Sequence, residues 1–213
     1  MSGENMFHEK LKQHLVDERL SVRIILAVVL YFAFFFTLTV LSYYLLPEEF
    51  LMNKNSLTDF ETSTNLFTST VQIFSFNLLS VVFIVIGNLF AFFNRNNGFI
   101  PCGYLALGLQ FATNAITLGT WSFTVASIAP DLPGRLLRMF DLAHRGGLWE
   151  MMGQVLVMCA TARIAIVKTN GKEVINTPIK EIRLKKSEIA CAVSGLCLMF
   201  AGAFVESSSI LSL

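Results

Sequence analysis

Apolar runs of roughly twenty residues or more divide this chain, and that pattern leaves few folds open. The first runs from about Ile24 to Leu46, without a single charge, and is closed by Pro47. At about 1.5 Å of rise per helical residue such a run crosses the ~30 Å hydrocarbon layer of a bilayer. Four more come after it: residues 66–93, 99–129, 147–167 and 188–212. The expected fold is all-α, a polytopic transmembrane bundle of about five spans, with the bilayer as its solvent.

Composition agrees. Hydrophobic residues make up 54% of the 213, 20 are Phe, and only 15% are charged, where a soluble domain has near a quarter. Mean hydropathy is +0.61. The formal net charge of +1 excludes nucleic acid as an expected partner, because phosphate binding needs clustered cations. Cys102, Cys159, Cys191 and Cys197 lie in apolar runs without metal-ligand spacing, so they read as small span residues and no metal is expected.

Between the runs the text changes character. Residues 1–21 place Phe7, Leu11 and Leu15 on one helical face with charges elsewhere, which predicts an amphipathic cytoplasmic segment at the membrane surface. Its charged start and the length of the run behind it do not fit a removable signal peptide. Residues 48–65 read as a solvated, mainly acidic loop, and Asn94 to Gly98 as a sharp turn. Residues 131–146 interleave Leu132, Leu136 and Phe140 with Arg135, Arg138 and His144, predicting a short interfacial or re-entrant helix that caps the bundle.

Lys and Arg are retained on the cytoplasmic side of spanning helices. With five spans, eleven cations fall on one side: Lys10, Lys12, Arg19, Arg23, Arg95, Lys168, Lys172, Lys180, Arg183, Lys185 and Lys186. Four fall on the other: Lys54, Arg135, Arg138 and Arg145. The expected localisation is a multi-pass protein of the cell membrane, N-terminus cytoplasmic and C-terminus outside.

Against this background a few polar residues stand out. Glu150 heads the fourth run, where a carboxylate costs on the order of 2.5 to 3.5 kcal/mol on insertion scales unless the bundle supplies a partner or a water path. Gln154 shares its helical face one turn later, and Asn77 and Asn114 fall near the middles of the second and third runs, where they could meet. These four form the expected intramembrane polar cluster. For Glu150 the sequence offers Arg138, His144, Arg145, Asn114 or water as partners, in a clamp or in a functional site for a proton or ion. Arg163 is close enough to Lys168 to snorkel to the inner interface.

Ala115 and Gly119 form a small-xxx-small packing motif, and Gly147 opens the fourth run. Trp121 and Trp149 read as interfacial anchors. Gly195 and Gly202, seven apart on the fifth run, suit either a homodimer seam or packing within the chain. Enzymatic readings fare poorly: Ser194-Gly195 has no histidine in a later span to act as its base, and the chain has no glycine-rich phosphate loop. No catalytic residue and no cofactor is expected.

Three stretches carry a family pattern: Phe76-Asn77-Leu78-Leu79, Asn114-Ala115-Ile116-Thr117-Leu118-Gly119 and Gly147-Leu148-Trp149-Glu150. Over about residues 70–168 the chain resembles the stage II sporulation protein M family of integral membrane proteins. It departs from that pattern at Gly146, where the family has histidine. The resemblance implies a non-catalytic scaffold or accessory subunit of a membrane complex, with other membrane proteins as partners. The alternative it leaves open is a subunit of a transporter or exporter, of the bacteriocin or ABC-associated kind, with a functional Glu150.

Overall fold

The computed structural model describes residues 13–52, 63–94, 98–123, 129–140 and 146–212. The surface helix predicted at 1–21 lies largely outside them, as do most of the acidic loop, the tip of the Arg95 turn, and Asp141, His144 and Arg145.

The chain is mostly helical. Helix α1 covers Leu20–Leu45, α2 Leu66–Asn88, α3 Gly103–Gly119, α4 Leu132–Met139, α5 Gly147–Thr161 and α6 Lys186–Leu211. Strands β1 (Phe90–Asn94) and β2 (Gly98–Pro101) separate α2 from α3, while β3 (Val167–Thr169) and β4 (Val174–Asn176) separate α5 from α6.

Among the described residues three helices, α1, α2 and α6, are long and apolar enough to cross a membrane. The expected five spans are therefore corrected to three. The third apolar run is spent partly on β2, and residues 120–123 after Gly119 are not helical, so α3 has 17 residues, about 25 Å. The fourth yields α5 with 15 residues, about 22 Å, before the chain turns into β3. A helix that meets protein on every side need not match the thickness of the lipid, and α5 packs against α1, α2, α3 and α6 at once.

Local chemistry sets the ends. The residue before Pro47 cannot stay helical, and Leu46 is extended at φ −113°, ψ 150°. Asn65 caps α2 by accepting the Thr68 N–H at 3.1 Å. Helix α3 closes with the Ser122 N–H on the Thr117 carbonyl and the Trp121 N–H on Leu118. This double closure requires a left-handed residue, and Trp121 takes it at φ 53°, where glycine is usual. Trp121 is thus a buried helix terminator, where the sequence suggested an interfacial anchor.

Contacts along the helices fix their directions. Tyr31 reaches Tyr104 and Ser42 reaches Ala115, so α1 and α3 run in parallel. Asn77 meets Glu150 and Asn88 meets Thr161, so α2 and α5 also run in parallel. Ser80 bonds Gln110 while Gly87 sits against Gly103, so α2 opposes α3. Gly153 faces Gly195 and Gly146 faces Gly202, so α6 opposes α5. The bundle alternates in direction. Its core centres on Ala27, Tyr31, Phe35, Leu107, Phe111, Val155 and Met158, while Ile25, Val29, Phe83, Leu109 and Val193 point outward.

At one end the four strands form a sheet in the order β2-β1-β3-β4, with β1 and β3 parallel and the outer pairs antiparallel. Hydropathy alone assigns these residues to helix ends and a polar loop. Val167, Thr169, Val174 and Ile175 are β-branched and suit strands, and Pro101 closes the edge strand β2, where a missing N–H is tolerated.

Candidate functional site

Glu150 lies in the first turn of α5, where its own N–H bonds the Gly146 carbonyl at 3.1 Å. A carboxylate near a helix N-terminus gains roughly 0.3 to 1 kcal/mol from the helix dipole. Its Oε1 accepts a hydrogen bond from Asn77 Nδ2 at 2.5 Å. This bond comes from a neighbouring helix and not from the cap residues that the sequence offered. Asn77 spends its amide on Glu150 and forms no hydrogen bond with Asn114, which stays half-buried on α3. Gln154 is buried one turn below Glu150, with its Oε1 unpartnered among the described residues.

On its other side Glu150 meets α6. A Cβ placed on Gly202 would come within 3.0 Å of Glu150 Cγ and 3.1 Å of Trp149 Cβ. Glu206, one turn beyond Gly202, acts on Glu150 as a like charge. The close approach of α5 and α6 rests on glycine. A Cβ on Gly195 would stand 2.6 Å from the Gly153 carbonyl oxygen, and one on Gly202 would stand 2.9 Å from that of Gly146. The pair Gly195 and Gly202 is therefore occupied within the chain. Gly147 has nothing within 4 Å of its would-be Cβ, so the packing glycine at this helix start is Gly146, one residue earlier than the sequence indicated. The motif on α3 packs as its spacing suggests: Ala115 is fully buried and Gly119 lies against the Thr39 carbonyl.

Further along the same α2/α5 seam, Asn88 Nδ2 donates to Thr161 Oγ1 at 2.8 Å and to the Met158 carbonyl at 3.2 Å. Two polar ties of similar kind, about three turns apart, thus join α2 to α5.

Two charged clamps escape sequence reasoning. At the sheet end Arg23 and Glu188, both buried, pair through Arg23 Nη2 and Glu188 Oε1. The other carboxylate oxygen accepts the Lys185 backbone N–H at 2.8 Å, the carboxylate half of a capping box on α6. Nearby, Glu18 contacts Arg163 at 3.4 Å and Lys185 at 3.9 Å, so Arg163 reaches the surface at the sheet end. Asp17 accepts the Arg19 backbone N–H at 2.8 Å, which holds its carboxyl below the ordinary range. No local signal in the sequence separates Arg23 and Glu188 from the loop charges beside them, Arg19, Lys185 and Lys186.

At the opposite end α4 forms the predicted cap. Arg135 is buried; it donates to the Gly119 carbonyl, to the Pro130 carbonyl at 2.8 Å and to Glu48 Oε1 at 2.6 Å. Its guanidinium lies 4.8 Å from the Tyr43 ring centroid, and Arg138 lies 5.3 Å from that of Trp121. A cation at the C-terminus of α3 complements its dipole, and a planar fork with five donors suits three acceptors at once.

The arrangement can hold helices together and keep a carboxylate inside the bundle. The four cysteines are free thiols, and no group of three or more potential metal ligands occurs among the described residues. Comparison of the chain with protein-family models, curated proteins and solved structures returns no match.

Proposed function

We propose that this chain is a non-catalytic scaffold or accessory subunit of a membrane complex, built around the buried helix α5. The observation that carries the reading is the Asn77–Glu150 hydrogen bond, which commits the most conspicuous intramembrane carboxylate to holding two helices in register. Its companions are the Asn88 contacts and the glycine seam with α6, so α5 is fixed from two sides. The resemblance to the stage II sporulation protein M family supports the same reading, since two of its motif residues, on separate helices, are the ones that meet. In this reading α1, α2 and α6 cross the membrane and α3 and α5 pack among them. The basic sheet end faces the cytoplasm, and the C-terminus, at the far end of α6, faces outside.

Glu206 favours a second reading, a transporter or exporter subunit in which Glu150 takes up and releases a proton. One variant separates the two. Glu150→Gln keeps the carbonyl oxygen that accepts from Asn77 and removes the titration. A scaffold then retains its fold and the proteins that co-purify with it in mild detergent. Loss of a pH-dependent flux in reconstituted vesicles, with assembly intact, would overturn the scaffold reading in favour of the transporter.

A further inference from the structure

The sheet shows an apolar face where two spanning helices leave the membrane. Strand β1 starts two residues after α2 ends, and α6 starts ten residues after β4 ends. Paired residues of neighbouring strands point to the same side, so the register sets Phe90 and Phe92 of β1 on one face with Thr169 of β3 and Val174 of β4. Ala91 and Pro101, a pair on the opposite face, are buried, which makes the first face the outer one. On it Phe90 is 48%, Phe92 55% and Val174 63% exposed. Such a face is an aggregation hazard in water, whereas the boundary between headgroups and acyl chains accepts it. Its surroundings are basic. Residues 168–186 hold Lys168, Lys172, Lys180, Arg183, Lys185 and Lys186 against Glu173 and Glu181. Among the described residues Lys172, Lys180, Arg183 and Lys186 are exposed and form no salt bridge.

We propose that the sheet and the segment joining it to α6 bind anionic phospholipid headgroups of the adjoining leaflet. Phe90, Phe92 and Val174 enter the headgroup boundary, and the four free cations hold lipid phosphates. Charge selects the occupant: a cluster of Lys and Arg beside a spanning helix is drawn to the negative surface potential of anionic lipid, which a zwitterionic surface lacks. Placement selects a lipid over a soluble anion. The strands are tied on both sides to helices that cross the bilayer, so the cations stay within reach of the headgroups, and only a membrane satisfies the apolar face and the charges together. The inference holds whichever role Glu150 plays.

The test uses the full chain in bilayers of phosphatidylcholine and phosphatidylglycerol, with one lipid at a time brominated on its acyl chains so that it quenches indole fluorescence on contact. Phe92→Trp puts an indole on the sheet face, and Phe67→Trp, at the opposite end of α2 and also exposed, is the reference, each read as its difference from the parent. Brominated phosphatidylglycerol should quench the Phe92→Trp indole in preference to brominated phosphatidylcholine, by up to about 5-fold in relative affinity for each contacting cation, and should show no such preference at Phe67→Trp. Changing Lys172, Lys180 and Arg183 together to Gln should abolish the preference while leaving quenching by lipid as such. A second measurement needs no variant: native mass spectrometry of the unaltered chain, offered equal amounts of the two lipids in detergent, should find phosphatidylglycerol retained, and less of it as salt screens the charges. The proposal is overturned by a Phe92→Trp indole that neither lipid quenches, by equal quenching or equal retention of both lipids, by a preference that survives the triple change, or by a preference lost to inorganic phosphate at constant ionic strength, which would assign the cations to a free anion.

Discussion

Arg23 and Glu188 make the sharpest energetic case in the molecule, because both are buried and they belong to helices 165 residues apart. Breaking a buried pair by removing one partner costs about 3 to 5 kcal/mol, while replacing both by well-packed apolar residues is often neutral or stabilising by about 1 to 4 kcal/mol. The geometry ranks the two single changes. After Arg23→Met, Glu188 keeps the Lys185 N–H and can neutralise itself by taking a proton, so the loss should fall near 3 kcal/mol. After Glu188→Leu the guanidinium cannot deprotonate. Among the described residues its Nε and Nη1 already lack partners, and Nη2 would join them, so the loss should approach about 5 kcal/mol. The double variant should lie within about 1 kcal/mol of the parent or above it. Equilibrium unfolding in mixed micelles, titrated with dodecyl sulfate, measures all four corners of the cycle. A double variant as damaged as the sum of the singles would refute the reasoning, as would a Glu188→Leu loss below about 1 kcal/mol.

Gly195→Ala should destabilise by about 1 to 3 kcal/mol through overpacking against the Gly153 carbonyl, although alanine favours a helix by up to ~1 kcal/mol. The same change at Gly147, which faces open space, should be neutral or stabilising, and the two unfolding curves provide the contrast. Arg135→Lys should cost about 2 to 4 kcal/mol, because an ammonium cannot serve Gly119, Pro130 and Glu48 together. Hydrogen exchange over α4 should rise well before that of α1, and equal protection in the variant would speak against the clamp.

The position of Glu150 shows how far sequence can go toward the site. A carboxylate heading an apolar run announces that something must hold it, but Asn77 is one of several amides and cations at plausible depths. Choosing among them requires knowing which faces of α2 and α5 meet. Asn88 is harder to find: it ends the second helix, beside the turn, and only the parallel course of α2 and α5 brings it onto Thr161. Arg23 reads as a loop cation, because nothing local distinguishes a charge that enters the bundle from one that remains in water.

The sequence by itself determined that this chain carries helices long and apolar enough to cross a bilayer, because long apolar runs in lipid must satisfy their backbone hydrogen bonds internally; it overcounted them, giving five where the described residues hold three. It also determined the uneven placement of cations between the loops. What only the tertiary structure decided is which apolar runs face lipid and which face protein. Hydropathy records how greasy a segment is and not what surrounds it, so α5 reads as a span until its neighbours are seen to enclose it. The sheet, the Arg23–Glu188 pair and the bond from Asn77 to Glu150 share that origin: each joins segments distant in the chain, and their meeting depends on how the helices are arranged.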